Sequence, residues 1–372
     1  MPHSTQQGRI RPAEVTGAER RLVSPPAPLH VRALKIRRER LMGKFLASTT
    51  LAFMALAVPA FAADEECGSI TVAEMNWASA GLAAWVDKII LEEGYGCDVA
   101  LVSGDTMPTF ASMNEKAQPD MAPELWVNAV KEPLDQAVAE GRIVIASQIL
   151  SDGGVEGIWV PTWLAEEHNI HTLKDALEHP ELFPGAEDSS KGAWFGCPSG
   201  WACQAINRNQ FVGSGAADKG FELVDSGSAA ALDGSIARAA NRKEGWLGYY
   251  WAPTAILGQY DMTRLELEAE FDRERWDNCM VKPDCVDPQV TEWPVSDVYT
   301  AVTKEFADKA GVAMDYVKTR AWSNETVNAM LAWMVKNQAS NEDAAYEFLE
   351  RHEDIWTEWV PAEVADKVRA AL

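Results

Sequence analysis

The sequence predicts an α/β fold of two lobes with a ligand cleft between them. From Ser69 onward, short β-type runs alternate with longer helical patterns, the mark of layered sheets with helical crossovers, and the sheets are expected to be parallel. The chain has 372 residues, more than one hydrophobic core organises comfortably even after a leader is removed. Two strand-like runs flank a Gly153-Gly154 break, a candidate crossing between lobes, and VYTAVTKEFA (298–307) offers the return.

In chain order, SITVAEMNW (69–77) reads as a strand feeding a helix from about Ala80 to Glu93 that stops at Gly94. CDVALVSG (97–104) is the next strand, followed by a helix over Met107–Lys116, the short segment PDMAPELWVN (119–128) and a helix over Val130–Glu140. IVIASQIL (143–150) and GIWVPTWL (157–164) read as strands, and HTLKDALEHPELF as a helix. Beyond the loop GCPSGWAC (196–203) come a helix over Gln204–Phe211, the strand FELVDSG, the helix SAAALDGSIARAANRKE and the buried-looking run GWLGYYWAP (245–253). Residues 271–294, with Asp, Pro and two Cys, read as a long stapled loop, and the chain after the return crossing is helical to Leu372. The expected division is residues 63–154 plus 298–372 as lobe I and 155–297 as lobe II.

The amino-terminal stretch reads as a leader rather than as fold. MGKFLASTTLAFMALAVPAFA (42–62) has a basic start at Lys44, an apolar stretch over Phe45–Val58 and the small-x-small pattern Ala60-Phe61-Ala62 for cleavage before Ala63, the anatomy of a secretory signal peptide. Residues 1–41 are read as a long basic leader or as sequence ahead of a true start at Met42. Residues 1–62 carry ten Lys/Arg and three Asp/Glu, so their loss takes the net charge from −23 to −30. A surface that acidic repels nucleic acid, which is not expected as a partner. The sign of the charge reflects solubility and does not identify a ligand.

All six Cys follow the signal, an even count that suits an oxidising compartment such as the periplasm. Proximity favours Cys67 with Cys97, Cys197 with Cys203 and Cys279 with Cys285, although six Cys permit fifteen pairings. The spacings are not CxxC and no His accompanies them, which argues against zinc. Asp277, Asp284 and Asp287 gather in DNCMVKPDCVD, a candidate calcium set of structural character, although such acidic loops are usually just solvated; no cofactor is expected.

Four of the fifteen Trp sit where strands end or loops turn: Trp77 in EMNW, Trp126 in ELWVN, Trp201 in PSGWAC and Trp251 in YYWAP. A quaternary ammonium or sulfonium has no N–H donor and spreads its charge over methyl groups, so aromatic faces suit it better than carboxylates do. Each desolvated face contributes on the order of 2 kcal/mol. Three or four approach the roughly 8 kcal/mol of a micromolar complex before association costs. Any single Trp is more simply core filling, the role given to Trp85, Trp159, Trp163, Trp194, Trp333, Trp356 and Trp359, in packing or at the surface. Glu74, Asn76 and Asn128 flank the four and are candidates to orient a ligand or to cap helices.

The loop GCPSGWAC precedes a predicted helix, so the backbone N–H groups of Ala202 and Cys203 are candidates to face an anion, with a Cys197–Cys203 bridge stiffening the turn. This loop, followed by QAINRNQ, resembles the signature of the periplasmic glycine betaine and proline betaine binding proteins of ABC importers; ELWVN and GYYWAPT extend the resemblance over the chain beyond the signal. The resemblance implies a type II periplasmic binding protein, a monomer that delivers its ligand to an inner-membrane permease. It implies that Trp126 on lobe I and Trp201 and Trp251 on lobe II box the ammonium head, while the Ala202 and Cys203 amides hold a carboxylate. Trp77, outside the family's basic box, is proposed as a fourth wall. Where the family archetype has a His four residues after the first-lobe Trp, this chain has Val130, so Glu124 is a candidate to pair with a cationic head or to accept a hydrogen bond from a protonated oxide. The sequence looks closest to a branch whose members take up trimethylamine N-oxide, glycine betaine or dimethylsulfoniopropionate; choline completes the candidate ligands.

Two other classes are weighed. A hydrolase would use exposed Trp to line a sugar cleft, but His168, His171, His179 and His352 lie in polar helical stretches, and neither GxSxG nor HExxH occurs. The chain is therefore not read as an enzyme. A receptor for an amino acid or sugar needs Arg or Asp in the binding loops, which here offer chiefly Trp.

Overall fold

The computed structural model describes residues 68–185 and 188–372. The expected signal peptide, the stretch before it and Cys67 lie outside the described residues. Two five-stranded sheets organise the chain. The first holds β1 (Ser69–Met75), β2 (Asp98–Gly104), β3 (Met121–Trp126), β4 (Ile143–Gln148) and β10 (Val298–Thr303), in the order β2-β1-β3-β10-β4. The second holds β5 (Val155–Pro161), β6 (Gly192–Phe195), β7 (Phe221–Val224), β8 (Gly248–Ala252) and β9 (Met262–Arg264), in the order β7-β6-β8-β5-β9.

The chain passes from the first sheet to the second between Gln148 and Val155 and returns before Val298. An antiparallel bridge between Gly154 and Ser296 ties the two passages together. VYTAVTKEFA is therefore more than a crossing: Val298–Thr303 is a sheet strand, antiparallel to both β3 and β4, and Lys304–Lys309 is a helix. This makes the first sheet mixed rather than parallel, and β5 likewise runs antiparallel to β8 and β9. Inserting a strand that comes back from the other lobe forces the reversal, because it enters the sheet from the opposite end.

Local chemistry accounts for the helices between the strands. Ser228, Thr254, Ser323 and Ser340 each cap a helix by accepting a backbone N–H three residues on. The helix Ala78–Ile89 packs on β1 and against Asn341–Arg351, so the carboxy-terminal helices cover the first sheet. A buried ion pair anchors that packing: Arg320 Nε lies 2.6 Å from Asp87 Oδ1, with the Tyr316 hydroxyl donating to the same carboxylate.

Several local expectations need revision. GIWVPTWL is strand only to Pro161; Thr162–His168 is helix, since Pro161 fixes φ and ends the ladder. HTLKDALEHPELF contains a short helix at Leu173–Leu177, with Thr172 and Asp175 in a capping box, and a 3-10 turn at Pro180–Leu182. The stretch 271–294 carries a helical turn over Arg273–Arg275 continued by a π-turn over Trp276–Met280.

Disulfides join Cys197 to Cys203 and Cys279 to Cys285. Cys97 is buried and is not a free thiol. Among the described residues no set of three or more His, Cys, Asp or Glu is placed to hold a metal ion. Asp277, Asp284 and Asp287 thus do not converge: Asp277 faces Arg273 at 3.4 Å, and Asp287 accepts from Gln289 at 3.5 Å. No helix of the described residues is long and apolar enough to cross a membrane.

Candidate ligand-binding site

The carboxyl ends of β1 and β3 deliver Trp77 and Trp126 to the cleft from the first lobe. The loop after β6 and the strand β8 deliver Trp201 and Trp251 from the second. All four indoles line one cavity, together with Thr106, Glu156, Ala202, Cys203 and Tyr249. Trp201 stands between two neighbours, edge-on to Trp77 at 5.3 Å between ring centroids and to Trp251 at 5.0 Å. Tyr249 stacks beside Trp251 at 6.2 Å. The space inside is tight, about 20 Å³, room for one or two waters.

Strand pairing explains the second-lobe side. Glu156 of β5 lies opposite Trp251 of β8, and alternation puts Tyr249 on the same face two residues away. The Tyr249 hydroxyl donates to Glu156 Oε1 at 2.9 Å, and the Asn128 amide, from the first lobe, donates to Oε2 at 3.2 Å. Burial in this apolar setting pushes the Glu156 carboxyl up to about 7, against those two hydrogen bonds. Glu156, Tyr249 and Thr106 were not singled out from the sequence. A lone carboxylate in the apolar run VEGIWV beside the crossing, and a Tyr two residues before Trp251, were the available signals.

Glu124 does not line the cavity. It stands behind the wall, fully buried, and its Oε1 accepts from Trp77 Nε1 at 2.7 Å, Trp126 Nε1 at 2.9 Å and the Ser79 hydroxyl at 2.9 Å. One oxygen thus sets two first-lobe indoles in a common orientation. Burial raises its pKa, partly offset by these three hydrogen bonds and by Arg320. Glu74 is likewise turned away from the cavity, accepting from Trp85 and Asn341 at 3.0 Å each. Asn76 reaches the second lobe by accepting from Trp201 Nε1 at 2.7 Å. Val130 is buried next to the helix Lys131–Ala139 and is not among the lining residues.

Two glycines shape the site, one in the loop and one in the passage between the sheets. Gly200 has φ of +90°, and a Cβ there would stand 3.1 Å from Asp105 Oδ2, so the loop tip docks on the first lobe, where Met107 N donates to Gly200 O. Gly154 packs flat under Trp126: a Cβ would fall 2.1 Å from Cζ3 of the indole. Behind the loop, the helix Cys203–Gly213 starts with Ala202 at its cap, so the cavity receives a first helical turn whose amides lack intrahelical acceptors.

An aromatic box with amides at one end and a single carboxyl beside it is a receptor for a compact cation with a polar tail. The family model of OpuAC, the substrate binding domain of ABC-type glycine betaine transport system, matches residues 68–351. The chain belongs to this family. Solved structures with the same fold include the glycine betaine/L-proline-binding protein ProX of Borrelia burgdorferi, at 18% identity and a TM-score of 0.64 over 81% of this chain and 99% of that one. An ABC-transporter choline binding protein in complex with choline matches at 19% identity and a TM-score of 0.63 over 82% of this chain and 99% of that one. Lactococcal OpuAC, closed on glycine betaine, matches at 18% identity and a TM-score of 0.61 over 79% of this chain and all of that one. At such identities these likenesses show the two-lobed α/β fold.

Proposed function

We propose that the protein is the secreted, periplasmic solute receptor of an ABC importer, capturing a small methylated onium compound and handing it to an inner-membrane permease as a monomer. The candidate ligands are glycine betaine, trimethylamine N-oxide, dimethylsulfoniopropionate and choline. The observation that carries this reading is the convergence of Trp77, Trp126, Trp201 and Trp251 from two lobes on one cavity. Membership of a family of solute-binding transport domains supports it, as do relatives of the same fold crystallised with choline and with glycine betaine.

In this reading the indole faces hold the methylated head, and Glu156 lends a carboxyl that balances its charge when ionised and meets a hydroxyl or protonated oxide when not. The amides of Ala202 and Cys203 receive the anionic tail where one exists. Lobe I comprises residues 63–154 and 298–372 and lobe II residues 155–297. The ligand enters with the lobes apart, because the indoles that hold its head come from both lobes.

Calorimetry with glycine betaine, choline, trimethylamine N-oxide, dimethylsulfoniopropionate and a sugar panel tests the proposal. Saturable binding of at least one onium compound is expected, weakened at least about tenfold in Trp201→Ala and Trp251→Ala by loss of one cation–π face. Sugar binding without onium binding, or unchanged affinity in both variants, rejects it.

A further inference from the structure

Behind the cage lies a second and larger chamber. Its volume is about 300 Å³, against about 20 Å³ in the cage. Trp77 and Trp251 line both spaces, so two indoles form a partition between them. The far walls come from both lobes: Leu331, Met334 and Val335 on the helix Asn324–Asn337, and Ile256 on the facing helix Ala255–Gln259.

Among the described residues lining this chamber, Asp233 is the one charged side chain. The Tyr250 hydroxyl holds its Oδ1 at 2.6 Å, fixing the carboxylate at the edge of an aromatic and aliphatic surface. Partial burial raises its pKa, with the Tyr250 hydrogen bond opposing the shift. No Lys, Arg or His lines the chamber, and the chain carries a net charge of −23. An anion finds no partner in such a space, and a sugar finds few. A cation whose surface is methyl groups satisfies both the carboxylate and the apolar walls.

We infer that this chamber is a second, weaker site for the same class of methylated cation, held against Asp233 between the aromatic partition and the helix Asn324–Asn337. It is weaker because it is wider, with fewer aromatic faces around the head. Its position against the two shared indoles makes it a holding place adjoining the cage. The inference rests on the cage being an onium site.

Calorimetric titration of the protein with choline into the millimolar range reads both sites. Two classes of binding are expected in the wild type. Trp201→Ala, which touches the cage alone, weakens the tight class at least about tenfold and leaves the weak one unchanged. Asp233→Asn weakens the weak class by about tenfold or more and spares the tight one, as expected for removal of the one charge among the described lining residues. Val335→Lys, at a half-exposed position at the chamber wall, sets a repelling ammonium there and does the same without disturbing the Tyr250 hydrogen bond. A single tight class in the wild type overturns this inference and leaves the cage standing, as does a weak class indifferent to both substitutions. Absence of both classes for choline overturns this inference, and absence of both for glycine betaine, trimethylamine N-oxide and dimethylsulfoniopropionate as well overturns the cage along with it.

Discussion

Trp201 donates its indole N–H across the cleft to the Asn76 side chain at 2.7 Å. The wall that the second lobe contributes is thus oriented by a residue of the first, so closing the lobes both encloses the head and fixes the ring that faces it. Loss of one such hydrogen bond costs about 1 kcal/mol, a factor of about five in affinity. Asn76→Ala is expected to weaken glycine betaine binding by that amount with unchanged circular dichroism. Undiminished affinity would mean that packing against Trp77 and Trp251 suffices to hold the ring.

Glu156 predicts a pH signature. Its carboxyl titrates at about 7 in the folded chain instead of the usual 4.5, so between those values the folded state holds the extra proton. Stability therefore declines as pH rises from about 4.5 to about 7 and is level above, by on the order of 3 kcal/mol for this group. Thermal melts across that window, compared with Glu156→Gln, should show the slope flatten in the variant.

The same carboxyl ties binding to protons. A permanently charged head favours the ionised form, so affinity for choline is expected to rise as pH climbs through 7, and binding at pH 6 should release protons. Calorimetry in buffers of different ionisation enthalpy measures that release. Equal proton release by Glu156→Gln would reassign it to another group.

Glu124 carries two walls on one oxygen. Glu124→Ala leaves the N–H groups of Trp77 and Trp126 and the Ser79 hydroxyl without their acceptor, at about 1–3 kcal/mol for each buried donor left unpaired. A clear fall in Tm is expected together with a loss of onium affinity greater than that of Asn76→Ala. A variant that melts lower yet binds as well as wild type would separate Glu124 from the cage.

The bridge Cys197–Cys203 spans six residues, and closing so short a loop is worth about 2 kcal/mol on the chain-entropy account. Replacing both Cys by Ser should lower stability by that order. It should also weaken binding of carboxylate-bearing ligands more than of choline, because the loop presents the Ala202 and Cys203 amides. Equal losses for glycine betaine and choline would argue against amide recognition.

Much of this was legible in the sequence, for identifiable reasons. Trp77, Trp126, Trp201 and Trp251 interrupt the expected pattern at strand ends and loops, where a large apolar ring is not needed for a core, and the structure gathers all four at one cavity. The two-lobed α/β plan followed from length and from the order of strand-like and helical runs. The return strand β10 was harder, because local pattern cannot say into which sheet a strand inserts. Glu156 was hidden for the same reason: it faces the cavity through a pairing with Trp251, far along the chain. Glu124 lies in β3, a strand buried at every position, and alternation carries no facing information there.

Gly154 carries the crossing strand between the lobes and at the same time forms the floor on which Trp126 rests. The backbone that carries the chain from one sheet to the other is thus also the backbone that supports one wall of the cavity. Any side chain introduced at this point would collide with the indole and push the ring out of place, so the passage between the sheets and the Trp126 wall cannot be altered independently.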